Sequence, residues 1–458
     1  MTGKELLLKA VRNEPTPRPA WLPFVGCHGG QLIGRTAAEY LRSTDLLVEG
    51  LTRARDLYRP DGLPVVFDLQ VEAEILGCKL HWADDVPPSV TSHPLARAGL
   101  DQLPAFELSR GRIPMILAAL DTLRTRLGGE VAFYGLVCGP FTLALHLLGN
   151  DIFLEMYDNP DRVQQVIALA ADVAVEMARG YLDHGADVIA VVDPMTSQIS
   201  PKHFESFVTP HVDRVFDAIR SMNGLSSMFV CGDVTRNLAL MCHTHADNVS
   251  VDEQIPIDRL RALCEESGKS FGGNVKLTSV LLLGDERDAK LESLEIMKKA
   301  GPRGFVLAPG CDLPYHTPVK NLQAVAAMVH DEYARQVARE TLVARTDDAF
   351  EDVALPDYAI RHAVIVDVIT LDSTSCAPCQ YMMEAVTQAA KATPVRTFIN
   401  EHKIKVREGL GMMARLGVTN LPTICIDGEV KFASIIPDQS QLVQAIEDAA
   451  RAKMRTRS

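Results

Sequence analysis

The sequence predicts an α/β protein in two parts: a (β/α)8 barrel over residues 1–340 and a smaller α/β domain over residues 360–458, joined by an acidic linker at 341–359. Three observations predict it. Eight short apolar runs alternate with amphipathic segments over the first ~320 residues, the pattern of parallel strands covered by crossover helices. The length, 458 residues, suits one large domain and one small one. A new β-branched run then begins near Ala363, after a charged stretch. An open doubly wound sheet is the alternative arrangement of the same alternation.

The elements follow in order. A first helix from Gly3 to Asn13 sets Leu6, Leu7, Ala10 and Val11 on one face, and Pro15, Pro17 and Pro19 stop it. The apolar runs are Ala20 to Cys27, Pro64 to Asp68, Val131 to Cys138, Val188 to Asp193, Met228 to Cys231, Asn248 to Glu253, Ser270 to Val275 and Gly304 to Ala308. Helical patterns lie between most of them, clearest at Asp161 to Asp183, His203 to Ser221 and Leu291 to Lys299. The run ends carry chemical groups: Cys27-His28, Asp68 with Glu72 and Glu74 beyond it, Cys138, Asp193, Cys231-Gly232-Asp233, Asp252-Glu253 and Cys311-Asp312. In a barrel those ends make the carboxyl rim, where barrel enzymes keep their chemistry. A single cysteine is ordinarily a small buried hydrophobe, and Cys138, Cys242 and Cys264 are read so. Cys231 and Cys311, each beside a glycine at the end of a run, read as a pair at one rim, a soft half-site for zinc. Asp193, Asp252 and Glu253 read as caps at strand ends.

Composition narrows the function. Hydrophobic residues make up 47% and charged residues 23%, a globular balance. The net charge of −13 argues against a nucleic-acid partner, which calls for a basic face. No apolar run is long enough for a membrane span, and Met1-Thr2-Gly3-Lys4-Glu5 has no signal-peptide core. A cytoplasmic setting is expected, in which the ten cysteines serve as thiols, ligands or redox centres.

In the second part, Ala363 to Thr370 is a strand, and Ser375-Cys376-Ala377-Pro378-Cys379 opens a helix from Gln380 to Lys391. A cysteine at a helix N-terminus meets the positive end of the dipole, which favours thiolate, and Cys379 is placed to resolve a mixed disulfide at Cys376. A strand at Val395 to Ile399, a helix at Val406 to Leu416, the run Leu421-Pro422-Thr423-Ile424-Cys425, the turn Asp427-Gly428 and a closing helix from Gln439 to Lys453 complete the pattern.

Two resemblances follow. Val137 to Ala144, Asp193-Pro194, Phe229-Val230-Cys231-Gly232, Ser250 to Glu253 and Gly310-Cys311-Asp312-Leu313-Pro314 resemble the uroporphyrinogen decarboxylase superfamily over residues 1–335. Within it, the Cys-Gly and Gly-Cys-Asp pair is most similar to the cobalamin-dependent methyltransferases that act with methylcobalamin and coenzyme M. The decarboxylases' Arg-Gln-Ala-Gly-Arg loop is replaced by Gly26-Cys27-His28-Gly29-Gly30-Gln31. The resemblance implies a thiol acceptor, zinc held by Cys231 and Cys311, methylcobalamin supplied on a partner corrinoid protein, and Asp193, Asp252 and Glu253 as groups that orient the bound thiol. It also implies a histidine at position 229, where this chain has Phe229. His28 is the first substitute ligand, with Cys27, Glu74 and Glu253 behind it. Residues 360–452 resemble the thioredoxin fold, which implies redox roles for Cys376 and Cys379 and a cis peptide at Pro422. The other functions this sequence admits are a metal-free lyase or decarboxylase, for which Arg35 is the nearest cation, and a non-catalytic barrel that docks the redox domain.

Overall fold

The computed structural model describes residues 1–342, 350, 352–374, 376–418 and 420–455. Residues 343–349 and 351 of the expected linker, together with Ser375, Thr419 and 456–458, lie outside the described residues. The chain forms two compact units, Met1–Val343 and Ala344–Ser458.

In the first unit eight strands form one parallel ladder: β1 (Ala20–Trp21), β2 (Gly62–Pro64), β3 (Ala132–Cys138), β4 (Val188–Val192), β5 (Leu225–Val230), β6 (Asn248–Val251), β7 (Ser270–Val275) and β8 (Phe305–Pro309). The order is β1-β8-β7-β6-β5-β4-β3-β2. The remaining seam is held by the Asp61 N–H donating to Trp21 O and the Trp21 N–H donating to the Asp61 carboxylate, each at 2.8 Å. Strand β1 is shorter than its apolar run, and β2 lies ahead of the expected run at Pro64 to Asp68, sharing only Pro64 with it. Pro23, which has no N–H to give a ladder, follows β1, and β2 ends on Pro64.

The first helix, Gly3–Val11, begins with a capping box between Thr2 and Glu5. Its buried face (Leu6, Leu7, Ala10, Val11) joins the core with Ala20, Leu22, Ala132, Val188 and Val306. Lys4 bonds to Glu130 O and pairs with Asp187, both just ahead of strands, so this helix covers the amino end of the barrel. The expected helices are present as Pro160–Asp183, Thr209–Ser221 and Glu286–Ala300, and Glu332–Thr341 follows the barrel. Cys138, Cys242 and Cys264 are buried, as expected of small hydrophobes.

In the second unit β9 (Val364–Thr370), β10 (Thr397–Lys403), β11 (Thr423–Ile426) and β12 (Glu429–Ala433) are ordered β10-β9-β11-β12. β9 and β10 run parallel, and the other two pairs are antiparallel. Asp427 and Gly428 both have positive φ in the β11–β12 hairpin, as a tight primed turn requires. Val364, Val366 and Val368 meet Met382, Val386, Leu442 and Ile446 from the flanking helices. Part of the expected linker is folded into this unit: Phe350, Val353 and Leu355 pack with Ile369, Ile404 and Met412. The apolar members of an acidic stretch thus outweigh its charge locally. No described helix is long and apolar enough to cross a membrane.

Candidate active site

Cys231 directly follows β5 and Cys311 lies two residues past β8, on strands that are not ladder neighbours. Their Cα atoms are nonetheless 5.9 Å apart, and the structure joins the sulfurs as a disulfide. Glycine permits the approach on both sides. Gly232 has φ of +95°, and its N–H donates to Asp252 Oδ2 at 3.0 Å. At Gly310 any Cβ would run into the Glu253 backbone, 2.7 Å away. Both chain segments can therefore curl inward over the barrel mouth.

Beneath the pair is an apolar floor. Phe229, 1% exposed, stacks on Phe24 at 4.9 Å and meets Phe67 edge-on at 6.1 Å. Cys231 and Cys311 pack against this cluster. Residues 229 and 231 point to one side of a strand, so a phenyl ring stands where the resemblance implies a metal ligand.

His28 does not replace it. Burial pushes its pKa down to about 4, so the imidazole is neutral. Nδ1 lies 2.9 Å from Tyr315 O, which can only accept, so Nδ1 carries the proton. Nε2 then accepts from the Tyr58 hydroxyl at 2.7 Å. Both ring nitrogens are engaged by residues 30 and 287 positions away. Glu74 is held by Arg112 at 2.8 Å, and Arg112 also pairs with Asp68 at 2.6 Å. Cys27 is buried. Among the described residues no three His, Cys, Asp or Glu side chains converge as a metal site. The groups present do not fit the zinc site the resemblance implies.

The three acids differ in what they hold. Asp193 is fully buried and caps the helix Pro140–Leu148. One oxygen accepts from Phe141 N–H (3.2 Å) and the other from Thr142 N–H (2.8 Å) and Thr142 Oγ1 (2.6 Å). Burial raises its pKa to about 6 against those donors. Its role in this geometry is capping. Asp252 accepts from Gly232 N–H and from both nitrogens of Gln254, which shapes the turn after Cys231. Glu253 accepts from Leu277 N–H at 2.7 Å and lies against Gly310, beside Cys311. Burial, then the charge of Asp252, pushes its pKa up to about 8. That places a proton-exchanging carboxyl close to the ordinary thiol range of ~8.5. Asp312 accepts from Gly26 N–H at 2.8 Å, tying the end of β8 to the loop after β1.

Some residues at the mouth gave no signal in the sequence. Phe24 and Phe67 lie inside apolar runs and carry no further mark. Ser197 Oγ lies 3.2 Å from where a side chain on Gly232 would begin. Gln198, 8% exposed, donates to Ser197 Oγ at 3.0 Å, while its Oε1 has no partner among the described residues. A glutamine inside a Met-Thr-Ser-Gln turn carries no pattern that marks it.

In the second unit Cys376 is the N-cap of the helix Ala377–Ala392 and is partly exposed, while Cys379 is buried one turn on. The Cys379 sulfur accepts from Leu371 N–H at 3.3 Å. The hydrogen bond shared with Cys379, and then burial, hold the Cys376 thiol well above its ordinary pKa, against the helix-end field that the sequence suggests as dominant. The Leu421–Pro422 peptide is cis, as the resemblance implies.

A closed barrel with sulfurs and acids at its carboxyl mouth, followed by a redox-type fold, defines the class. The chain belongs to the uroporphyrinogen decarboxylase (URO-D) family, whose model matches residues 2–332, and a thioredoxin domain model matches residues 366–447. Among curated relatives, the methylcobamide:CoM methyltransferase MtbA of Methanosarcina mazei is 28% identical over 329 residues, covering 70% of this chain and 96% of that protein. MtaA of Methanosarcina barkeri is 32% identical over 292 residues, covering 60% of this chain and 82% of that protein. A solved methyltransferase from Methanosarcina mazei superposes with a TM-score of 0.66 at 26% identity, covering 74% of this chain and 99% of that one.

Proposed function

We propose that this chain is a corrinoid-dependent methyltransferase. A methyl group passes between the cobalt of a corrinoid carried by a separate protein and a small thiol seated at the barrel mouth. The observation that carries this reading is the meeting of Cys231 and Cys311 above the floor of Phe24, Phe67 and Phe229. The similarity to methylcobamide:CoM methyltransferases supports it. The second unit serves thiol–disulfide exchange through Cys376 and Cys379.

The corrinoid enters as a substrate. Transfer toward the thiol breaks its S–H bond. The proton goes to Glu253, the sulfur lone pair takes the methyl group, and the electron pair of the Co–C bond stays on cobalt. The reverse transfer returns the proton from Glu253 to the leaving thiolate. The apolar floor excludes water from the sulfur, and the reduced pair offers it S–H hydrogen bonds. A decarboxylase would need cations at the mouth. Arg35 is instead 53% exposed and pairs with Glu39 at 3.8 Å.

The test is an anaerobic assay of the reduced full-length chain with free methylcobalamin and a panel of small thiols, followed by cobalamin absorbance. Thiol-dependent demethylation that falls sharply in Cys231→Ser and Cys311→Ser is expected. Absence of transfer in both directions with every thiol would overturn the reading.

A further inference from the structure

The chain holds two cysteine pairs, each close enough to act as a unit. Cys231 and Cys311 are joined, while Cys376 and Cys379 are both thiols. The joined pair is partly exposed at the barrel mouth, and among the described residues no third ligand stands by to hold the sulfurs apart around a metal ion. Two sulfurs whose Cα atoms are 5.9 Å apart close readily on each other when oxidised. In that state neither sulfur can donate an S–H bond. The second pair has the layout of a dithiol reductant: one sulfur partly exposed at a helix N-terminus, and one buried a turn away in reach of it.

We infer that the Cys376–Cys379 dithiol is the specific reductant of the Cys231–Cys311 disulfide, so that the second unit unlocks the barrel mouth of this same protein. The inference rests on the reading of Cys231 and Cys311 as the reactive pair. The exchange balances without another reagent. Cys376, as thiolate, attacks one sulfur of the barrel disulfide. That S–S bond breaks, a mixed disulfide forms, and the released barrel sulfur takes up a proton. Cys379 loses its proton and attacks Cys376. The mixed disulfide breaks, and the second barrel sulfur leaves and is protonated. Two electrons and two protons have moved from the second unit to the barrel. Glu253, which lies against Gly310 beside Cys311, is placed to carry a proton for that sulfur.

Two full-length variants test this. A Cys376→Ser/Cys379→Ser chain, oxidised mildly, supplies the barrel disulfide. A reduced Cys231→Ser/Cys311→Ser chain, freed of small reductant, supplies the dithiol. After mixing, thiols are alkylated and mapped by mass spectrometry. Stoichiometric loss of the disulfide at 231/311 and gain of one at 376/379 is expected. A Cys379→Ser donor should accumulate a mixed disulfide from Cys376 to Cys231 or Cys311. Circular dichroism confirms that both variants are folded. The inference is overturned if the barrel disulfide survives the donor while a small dithiol reduces it. It is also overturned if mild oxidation never joins Cys231 to Cys311. The readout is disulfide content, so a chain that moves methyl groups without exchanging disulfides sinks this inference alone. A chain that exchanges disulfides but transfers no methyl sinks only the methyltransferase reading.

Discussion

Replacing Phe229 by histidine should create the zinc site that the native donor set lacks. The position is fully buried, two residues before Cys231, and faces the same side of β5. Without metal the change is costly. It removes a ring stacked on Phe24 and buries an imidazole in an apolar cluster, where each unpaired nitrogen costs about 1–3 kcal/mol. The reduced, metal-free variant should be less stable by about 3 kcal/mol. With metal the sign reverses. One nitrogen and two thiolates are the three protein ligands of a catalytic-type zinc site. If the site binds zinc with a Kd of about 1 nM, about 10 μM free zinc stabilises the fold by roughly 5 kcal/mol. The variant should therefore melt below the native chain in chelator and above its own chelated form, by more than the original loss, in zinc. Anaerobic thermal unfolding with a phosphine reductant, paired with metal analysis, reads both arms. Native protein that purifies with about one tightly held zinc per chain would refute the reasoning, because it would mean that a ligand other than those named here completes the site. A histidine variant no better at holding zinc than the native chain would refute it equally.

Other outcomes are as specific. Asp193→Ala strands three donors at the start of the helix Pro140–Leu148 and should cost about 2–4 kcal/mol by urea unfolding. Where the variant remains folded, turnover should be largely retained, and a catalytic collapse at full folding would restore Asp193 to the chemistry. Glu253 has its folded pKa raised from 4.5 to about 8, so it favours the fold while protonated. Stability should accordingly decline as pH rises from about 4.5 through 8, by a few kcal/mol, and Glu253→Gln should flatten that decline. An unchanged slope in the variant would show that Glu253 is not the group responsible. Tyr58→Phe removes the donor to His28 Nε2 and leaves a buried acceptor unpaired. A loss of about 1–3 kcal/mol is expected, and no change in metal content.

Most of the barrel strands were legible because each is a short apolar run ending in a turn residue, and burial on both faces leaves that signal in composition alone; the second was not, because Gly62–Pro64 is too short to outweigh the apolar run that follows it. The pairing of Cys231 with Cys311 was legible for a related reason. A parallel barrel sends every strand end to one rim, so a cysteine beside a glycine at two such ends needs no knowledge of the residues between. What surrounds those sulfurs was not legible, because it depends on side-chain direction over long sequence distances. His28 ends the first apolar run and so qualifies as a ligand by position. Its nitrogens are instead taken by Tyr58 and by Tyr315 O, contacts that no local pattern announces. Asp193 also sits at a strand end, yet it turns toward the backbone of the neighbouring helix. There the orphan N–H groups of Phe141 and Thr142 are nearer partners than any substrate. Phe229 shows the same asymmetry from the other side. Its identity alone says that one ligand is gone. Only the packing of Phe24 and Phe67 around it shows that the vacated place is filled by a stable apolar cluster and has not been left as a gap. Filling it this way favours sulfurs that can close on each other over sulfurs held apart by a metal. That choice gives a dithiol domain on the same chain something to do.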